Sequence, residues 1–162
     1  MIARRLTFCT LLMGALLVPS SASSQIFGGV FGAYAQDAFD GAAGFGLELG
    51  YDLPILPVDV YGSGTWYFPD CDDCDLSAWS LGANVRLPLP LIRPYLTAGW
   101  TWADYEDPGP TIDPLSLSTN NAFAGVGVDL AFSGVRVFGE ARYDLLDEPL
   151  EQWTLRLGLF LR

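Results

Sequence analysis

The ten residues from Trp153 to Arg162 alternate almost without error. Trp153, Leu155, Leu157, Leu159 and Leu161 fall on one side of an extended chain, and Thr154, Arg156, Gly158, Phe160 and Arg162 on the other. Successive side chains of a strand point to opposite faces. A strand with a leucine stripe on one face, and two arginines and a glycine on the other, wants hydrocarbon on the first and polar surroundings on the second. Few folds accept that combination over such a length.

Similar stretches recur along the chain. Turn residues divide it into strands near 26–36, 43–52, 58–68, 78–87, 95–105, 121–132, 135–145 and 152–161. Each has roughly the 9–11 residues that a tilted strand needs to cross hydrocarbon. This division leaves all eleven prolines outside the strands, as ladder hydrogen bonding favours. Pro54 to Pro57, Pro88 to Pro94, and Ser133-Gly134 connect strands two to three, four to five, and six to seven. The other connections are acidic or longer: Asp37 to Asp40, Asp70 to Asp75, Glu106 to Asn120 and Leu146 to Glu151. In an up-and-down meander the two sets lie at opposite ends, as short periplasmic turns and longer outer loops do in membrane barrels. The expected fold is an all-β, eight-stranded antiparallel up-and-down transmembrane β-barrel.

The tryptophans give an independent check. Trp66, Trp79, Trp100, Trp102 and Trp153 lie late in odd strands or early in even ones, so the meander gathers all five in the outward half. Phe68, Tyr105 and Tyr143 are expected to join them. Tyr51 and Phe132, with Phe27 as a third candidate, are expected at the other end. Two such belts are the aromatic girdles of a membrane barrel.

The period of two also assigns faces. Phe45, Leu47, Leu49 and Tyr51 face out, as do Trp79, Leu81, Ala83, Val85 and Leu87. Facing in are Glu48, Asp59, Arg86, Asp129, Arg136, Glu140, Arg142 and Arg156, four acids against four arginines. An eight-stranded barrel is just wide enough for side chains to fill, and unpaired charge there is costly, so a balanced ion-pair network is expected. Strand one, Phe27 to Tyr34, is too glycine-rich to phase.

The first segment reads as a targeting device. Arg4 and Arg5 precede a mostly apolar run from Leu6 to Val18, and Pro19 to Ser24 supplies a breaker and small residues. Residues 1–24 are therefore expected to be a cleaved signal peptide, cut near Ala22 or Ser24, with the barrel domain occupying 25–162. No other apolar run approaches the length of a membrane helix. The chain has no Lys and no His, and the formal charge of −11 becomes −13 once Arg4 and Arg5 are removed. So acidic a domain is unsuited to nucleic acid, and without His it lacks the usual imidazole base and zinc ligand.

Several segments together carry a family resemblance: the leader, Gly44-Phe-Gly-Leu-Glu-Leu-Gly-Tyr51, Ala124-Gly-Val-Gly-Val-Asp129, Gly139-Glu-Ala-Arg-Tyr143 and the alternating last strand. The whole mature chain resembles the small eight-stranded outer-membrane β-barrel proteins, a group that includes opacity-type surface proteins. The resemblance implies the outer membrane, with both termini periplasmic. Members commonly end in an aromatic that the insertion machinery reads. This chain departs from that pattern, ending Phe160-Leu-Arg162 with Phe160 on the inward phase.

Chemistry-bearing residues are few. Cys71 and Cys74 are the only cysteines after the leader. An oxidising compartment favours a disulfide between them, with metal ligation and free thiols as alternatives. The flanking Asp70, Asp72, Asp73 and Asp75 do not follow the spacing of a calcium loop. No catalytic residue, cofactor or resident metal is expected. The leading reading is a non-enzymatic, monomeric envelope-structural or surface-interaction protein. Its partners would be outer-membrane lipids, and divalent cations or a basic partner at the acidic loops. A small solute pore and a soluble lipocalin-like barrel are the alternatives.

Overall fold

The computed structural model describes residues 26–36, 41–53, 55–69, 75–87, 89, 91–107, 115–132, 134–145 and 152–161. Residues 1–25, Cys71, Cys74 and most of the acidic loop residues lie outside the described residues.

Eight strands run in sequence order: β1 (Ile26–Ala35), β2 (Ala42–Asp52), β3 (Val58–Phe68), β4 (Asp75–Arg86), β5 (Ile92–Asp107), β6 (Leu115–Phe132), β7 (Val135–Asp144) and β8 (Gln152–Leu161). Each pairs antiparallel with its neighbours, and β1 closes on β8 with Gly28 opposite Leu161 and Ala35 opposite Thr154. The connections after the even strands are tight. Leu53 donates its N–H to Val58 at 2.9 Å, and Leu87 donates to Pro94 at 2.9 Å. Gly134 takes a positive φ of 80° in the β6–β7 turn, a conformation that glycine adopts without a Cβ penalty.

The outer wall is apolar and the inside carries the charge. Leu155, Leu157, Leu159 and Leu161 are exposed on β8, as are Leu81 and Val85 on β4 and Val126 and Val128 on β6. On the alternate positions Glu48, Asp59, Asp129, Arg136, Glu140, Arg142 and Arg156 are buried. Arg86 keeps only 11% of its side-chain surface. The expected faces hold throughout for these residues, and β1 is now phased, with Phe27, Phe31, Ala33 and Ala35 buried and Ile26, Val30 and Tyr34 exposed.

Three expectations need correction. Phe27 and Tyr105 do not belong to the girdles, being 1% and 4% exposed inside the barrel. Pro94 lies within β5. Its carbonyl faces the end of β4, where it accepts from Leu87, so its missing N–H falls where that ladder is ending, a position in which a strand tolerates proline. The third difference is length. β6 begins at Leu115, so half of the expected third loop is strand paired to β5.

The inward glycines have a packing role. Phe27 lies on Gly50, Phe31 on Gly46, Tyr61 and Phe123 on Gly82, and Tyr95 on Gly127. Each missing side chain leaves room for a ring that fills the cross-section. By contrast, a Cβ on outward Gly139 would meet only Leu157, at 4.0 Å. Gly127→Val is expected to displace Tyr95 and destabilise the barrel by about 1–3 kcal/mol, while Gly139→Ala is nearly neutral. Urea unfolding in detergent, read by gel mobility of unheated samples, checks the contrast.

Candidate functional site

The interior charges fall into three layers along the barrel. Nearest the short turns, Arg86 pairs with Asp59, with Asp129 at 3.0 Å and with Asp52 at 3.2 Å. Arg93 reaches Asp129 at 2.7 Å, and Arg136 stands 3.7 Å from Asp52 and 3.8 Å from Asp129. Asp52 and Asp59 are direct cross-strand partners in the β2–β3 ladder. Like charges so placed repel, and Arg86, paired with both, offsets that repulsion. Asn84 donates to Asp59 at 2.9 Å.

The middle layer is a clamp. Arg156 donates Nη2 to Glu48 at 2.6 Å and Nη1 to Glu140 at 2.8 Å. Tyr95 donates its hydroxyl to the other oxygen of Glu140 at 3.0 Å. The guanidinium lies over the Phe31 ring at 3.8 Å, a favourable cation–π geometry. In the outward layer Arg142 donates to Asp144 at 3.1 Å and to Ser80 at 3.3 Å. Thr154 also donates to Asp144, at 2.9 Å, and the Ser80 and Thr101 hydroxyls meet at 2.6 Å.

Aromatic rings separate and seal these layers. Phe138 and Phe160 stack at 4.4 Å, and Phe27 meets Phe160 edge-on at 5.1 Å. Arg136 sits 4.4 Å above the Phe27 ring, and Arg142 lies 4.6 Å from Phe123. The near-terminal aromatic Phe160 is thus part of the inner packing.

All eight residues expected in the interior network are brought there. Asp52, Arg93 and Asp144 join them there, and none of the three belongs to the expected set. Every arginine among the described residues projects inward. The exposed wall toward the longer loops carries Trp79, Trp100, Trp102 and Trp153, with Trp66 half-buried between Phe45 and Trp79. Beyond this belt Asp75, Asp104 and Glu106 are exposed, and Asp75 lies opposite Glu106 in the β4–β5 ladder. Among the described residues no cluster of three or more Asp, Glu, Cys or His is arranged to hold a metal ion. Where the expected Cys71–Cys74 disulfide would lie is outside the described residues.

No protein-family profile matches the chain, and no curated protein sequence matches it. Solved structures do. The N-terminal β-barrel domain of Pseudomonas aeruginosa OprF superposes with a TM-score of 0.70 at 19% identity, covering 85% of this chain and 97% of that one. Ail of Yersinia pestis, solved in complex with the heparin analogue sucrose octasulfate, gives 0.61 at 18% identity, covering 84% and 95%. Neisserial surface protein A gives 0.58 at 18% identity, covering 84% and 94%. What is shared at such identity is the fold, that of the small eight-stranded outer-membrane β-barrels.

Removing Arg156 leaves Glu48 and Glu140 confined without their shared cation, so Arg156→Met is expected to destabilise the barrel by about 3–5 kcal/mol. Adding Glu48→Gln and Glu140→Gln should recover more than half of that loss, which equilibrium unfolding in micelles measures.

Proposed function

We propose that the protein is a non-enzymatic outer-membrane barrel that holds an acidic rim at the cell surface, where it acts through envelope-structural or surface contacts. The observation that carries this reading is the inversion of the barrel: leucine, valine and tryptophan outside, and paired charge within. A soluble barrel would expose that wall to water, which weighs against a lipocalin-like alternative. The filled and ion-paired cross-section weighs against a solute pore, because a conducting path needs room for water between the layers.

The sign of the rim narrows the partners. Ail was solved with a polyanion, but the net charge here is −11 and the loop segments carry Asp and Glu without a single Arg or Lys. Repulsion makes a sulfated polysaccharide a poor ligand for this chain. Divalent cations bridging to anionic lipid, or a basic partner, suit the rim instead. Residues 1–24 serve in this reading as a cleaved leader, and Cys71 and Cys74 as a disulfide closing the second loop.

Single cysteines introduced with Cys71 and Cys74 replaced by serine test the placement. Leu157→Cys should react only with a hydrocarbon-soluble reagent, Ser118→Cys with an impermeant maleimide added to intact cells, and Ser63→Cys with neither. Impermeant labelling of residue 157, or of residue 118 only after the envelope is broken, would sink the proposal.

A further inference from the structure

Two of the short turns carry no polar side chain. Between Asp52 and Asp59 the chain reads Leu53-Pro-Ile-Leu-Pro-Val58, and between Arg86 and Arg93 it reads Leu87-Pro-Leu-Pro-Leu-Ile92. Ile55 is 92% exposed, and Leu56, Leu87, Leu89, Leu91 and Ile92 are half-exposed or more. The two turns lie side by side, since Arg86 at the end of β4 donates its N–H to the carbonyl of Pro57 at 2.8 Å. The charges that flank them are turned away. Arg86 pairs with Asp52 and Asp59 inside the mouth, and Arg93 pairs there with Asp129. Contiguous exposed apolar side chains of this kind mark a contact surface rather than one left in water.

Three features identify what it meets. The patch is continuous with the lipid-facing wall, because Leu87 follows Val85 on the outward phase, and Val85 stands opposite Val58 and Leu96 in its two ladders. The second feature is height. From Trp79 in the belt to Leu87, just past the end of β4, the chain advances eight residues. At about 3.3 Å per residue and a tilt of about 40°, that covers roughly 20 Å of the membrane normal. The apolar band of such barrels is about 25 Å tall, so the strand ends inside it and the turns occupy what is left. The third feature is the backbone. Hydrocarbon offers no partner to a free N–H, and Pro54, Pro57, Pro88, Pro90 and Pro94 have none to satisfy. Leu53 donates to Val58 at 2.9 Å, Leu87 to Pro94 at 2.9 Å and Leu89 to Leu87 at 2.8 Å. Proline alone is ordinary in a turn, but proline joined only to leucine, isoleucine and valine is not.

We infer that the β2–β3 and β4–β5 turns are seated among the acyl chains of the adjoining lipid leaflet, which makes this end of the barrel a lipid-binding surface. The inference goes beyond the surface role proposed above and needs only the membrane placement of the wall. Ile55, Leu56 and Leu89 act as an anchor. They extend the apolar wall where the strands stop short, and they fix the depth at which the barrel rides. The third short turn, at Gly134, brings Phe132 to the same end, 58% exposed. Charge inside the mouth suits this depth, because Asp52, Asp59 and Asp129 meet Arg86, Arg93 and Arg136, three against three. The mouth therefore presents no net charge to the lipid around it. The opposite end differs, with Asp75, Asp104 and Glu106 exposed beyond the tryptophans. A protein cap would cover the leucines but would leave the strands short of the apolar band.

The test uses the full mature barrel in phosphatidylcholine vesicles, with Cys71 and Cys74 replaced by serine. Nitroxide labels go on Ile55→Cys and Leu89→Cys, with Leu157→Cys and Ser118→Cys as the hydrocarbon and water references. Collision with molecular oxygen reports hydrocarbon, and collision with a nickel chelate reports water. Labels at 55 and 89 should match the label at 157, open to oxygen and shielded from nickel. A second measurement reads stability. Ile55→Asn with Leu56→Asn and Leu89→Asn should lower the urea midpoint in long-chain lipid and leave it unchanged in short-chain lipid, where the strands alone span the band. Nickel contact at 55 and 89 with 157 shielded puts the turns in water, free for a protein partner, and overturns the inference while the membrane barrel stands. Shielding of 55 and 89 from both agents makes a second copy the cover and also overturns it. A midpoint unmoved in both lipids, or lowered equally in both, does the same. Nickel contact at 157 sinks the membrane placement itself, and this inference with it.

Discussion

Hydrocarbon offers a backbone amide no hydrogen-bond partner, so a sheet that lies in it must leave no edge. Closure of β1 on β8 is the interaction that meets this demand here, with eight registered pairs from Gly28–Leu161 to Ala35–Thr154. Most other features follow from it. Once the sheet is closed, alternation has only two destinations, and each residue faces either the wall or the lumen. The leucines of β8 take the wall because Arg156 and Thr154, on the same strand, have partners only inside. A one-residue slip of β8 would reverse both assignments at once, so the ladder and the ion pairs specify the same register.

The lumen is narrow enough that charge and volume are settled together. Five described arginines occupy it; Arg93 pairs with Asp129, and each of the other four is held between a carboxylate and an aromatic or another acid. Arg156 shows the economy of the arrangement: two glutamates flank its plane, and the Phe31 ring covers its face. A lysine would offer no planar fork for two carboxylates and no flat face for the ring. The absence of Lys from the whole chain agrees with an interior built on that geometry. Glycine completes it, since a ring such as Tyr95 can cross toward Glu140 only because Gly127 beneath it has no side chain.

Much of this was legible in the sequence because period-two alternation and turn residues are local signals. The eight strands, their order and the faces of Glu48, Asp59, Arg86, Asp129, Arg136, Glu140, Arg142 and Arg156 follow from them. The misreadings arose where local signals are silent. Phe27 and Tyr105 are aromatic near strand ends, which suits a girdle or a lumen equally, and only phase decides between them. In β1 that phase is hidden among glycines. Pro94 was read as a strand breaker, although a proline near a ladder's end interrupts little. Asp52 shares the inward phase of Glu48 but is the last residue of its strand, and Arg93 lies in the Pro88 to Pro94 connection, so neither joined the expected network. Ser116, Ser118, Thr119 and Asn120 look like loop by polarity, and they form strand because β5 is there to pair with.

That last difference bears on how one fold serves two environments. Inside hydrocarbon an open edge is forbidden, and every described strand is paired on both sides through that zone. Beyond the tryptophan belt water replaces hydrocarbon, and an unpaired N–H is satisfied by solvent. β6 crosses from one regime into the other, and it loses β7 as a neighbour close to the height where Trp102 sits opposite Asn120. Asn121 marks the crossing with its carboxamide oxygen, which accepts from the N–H of Ala122. The physics that closes the barrel below no longer constrains the β5–β6 pair above, where water can serve the backbone.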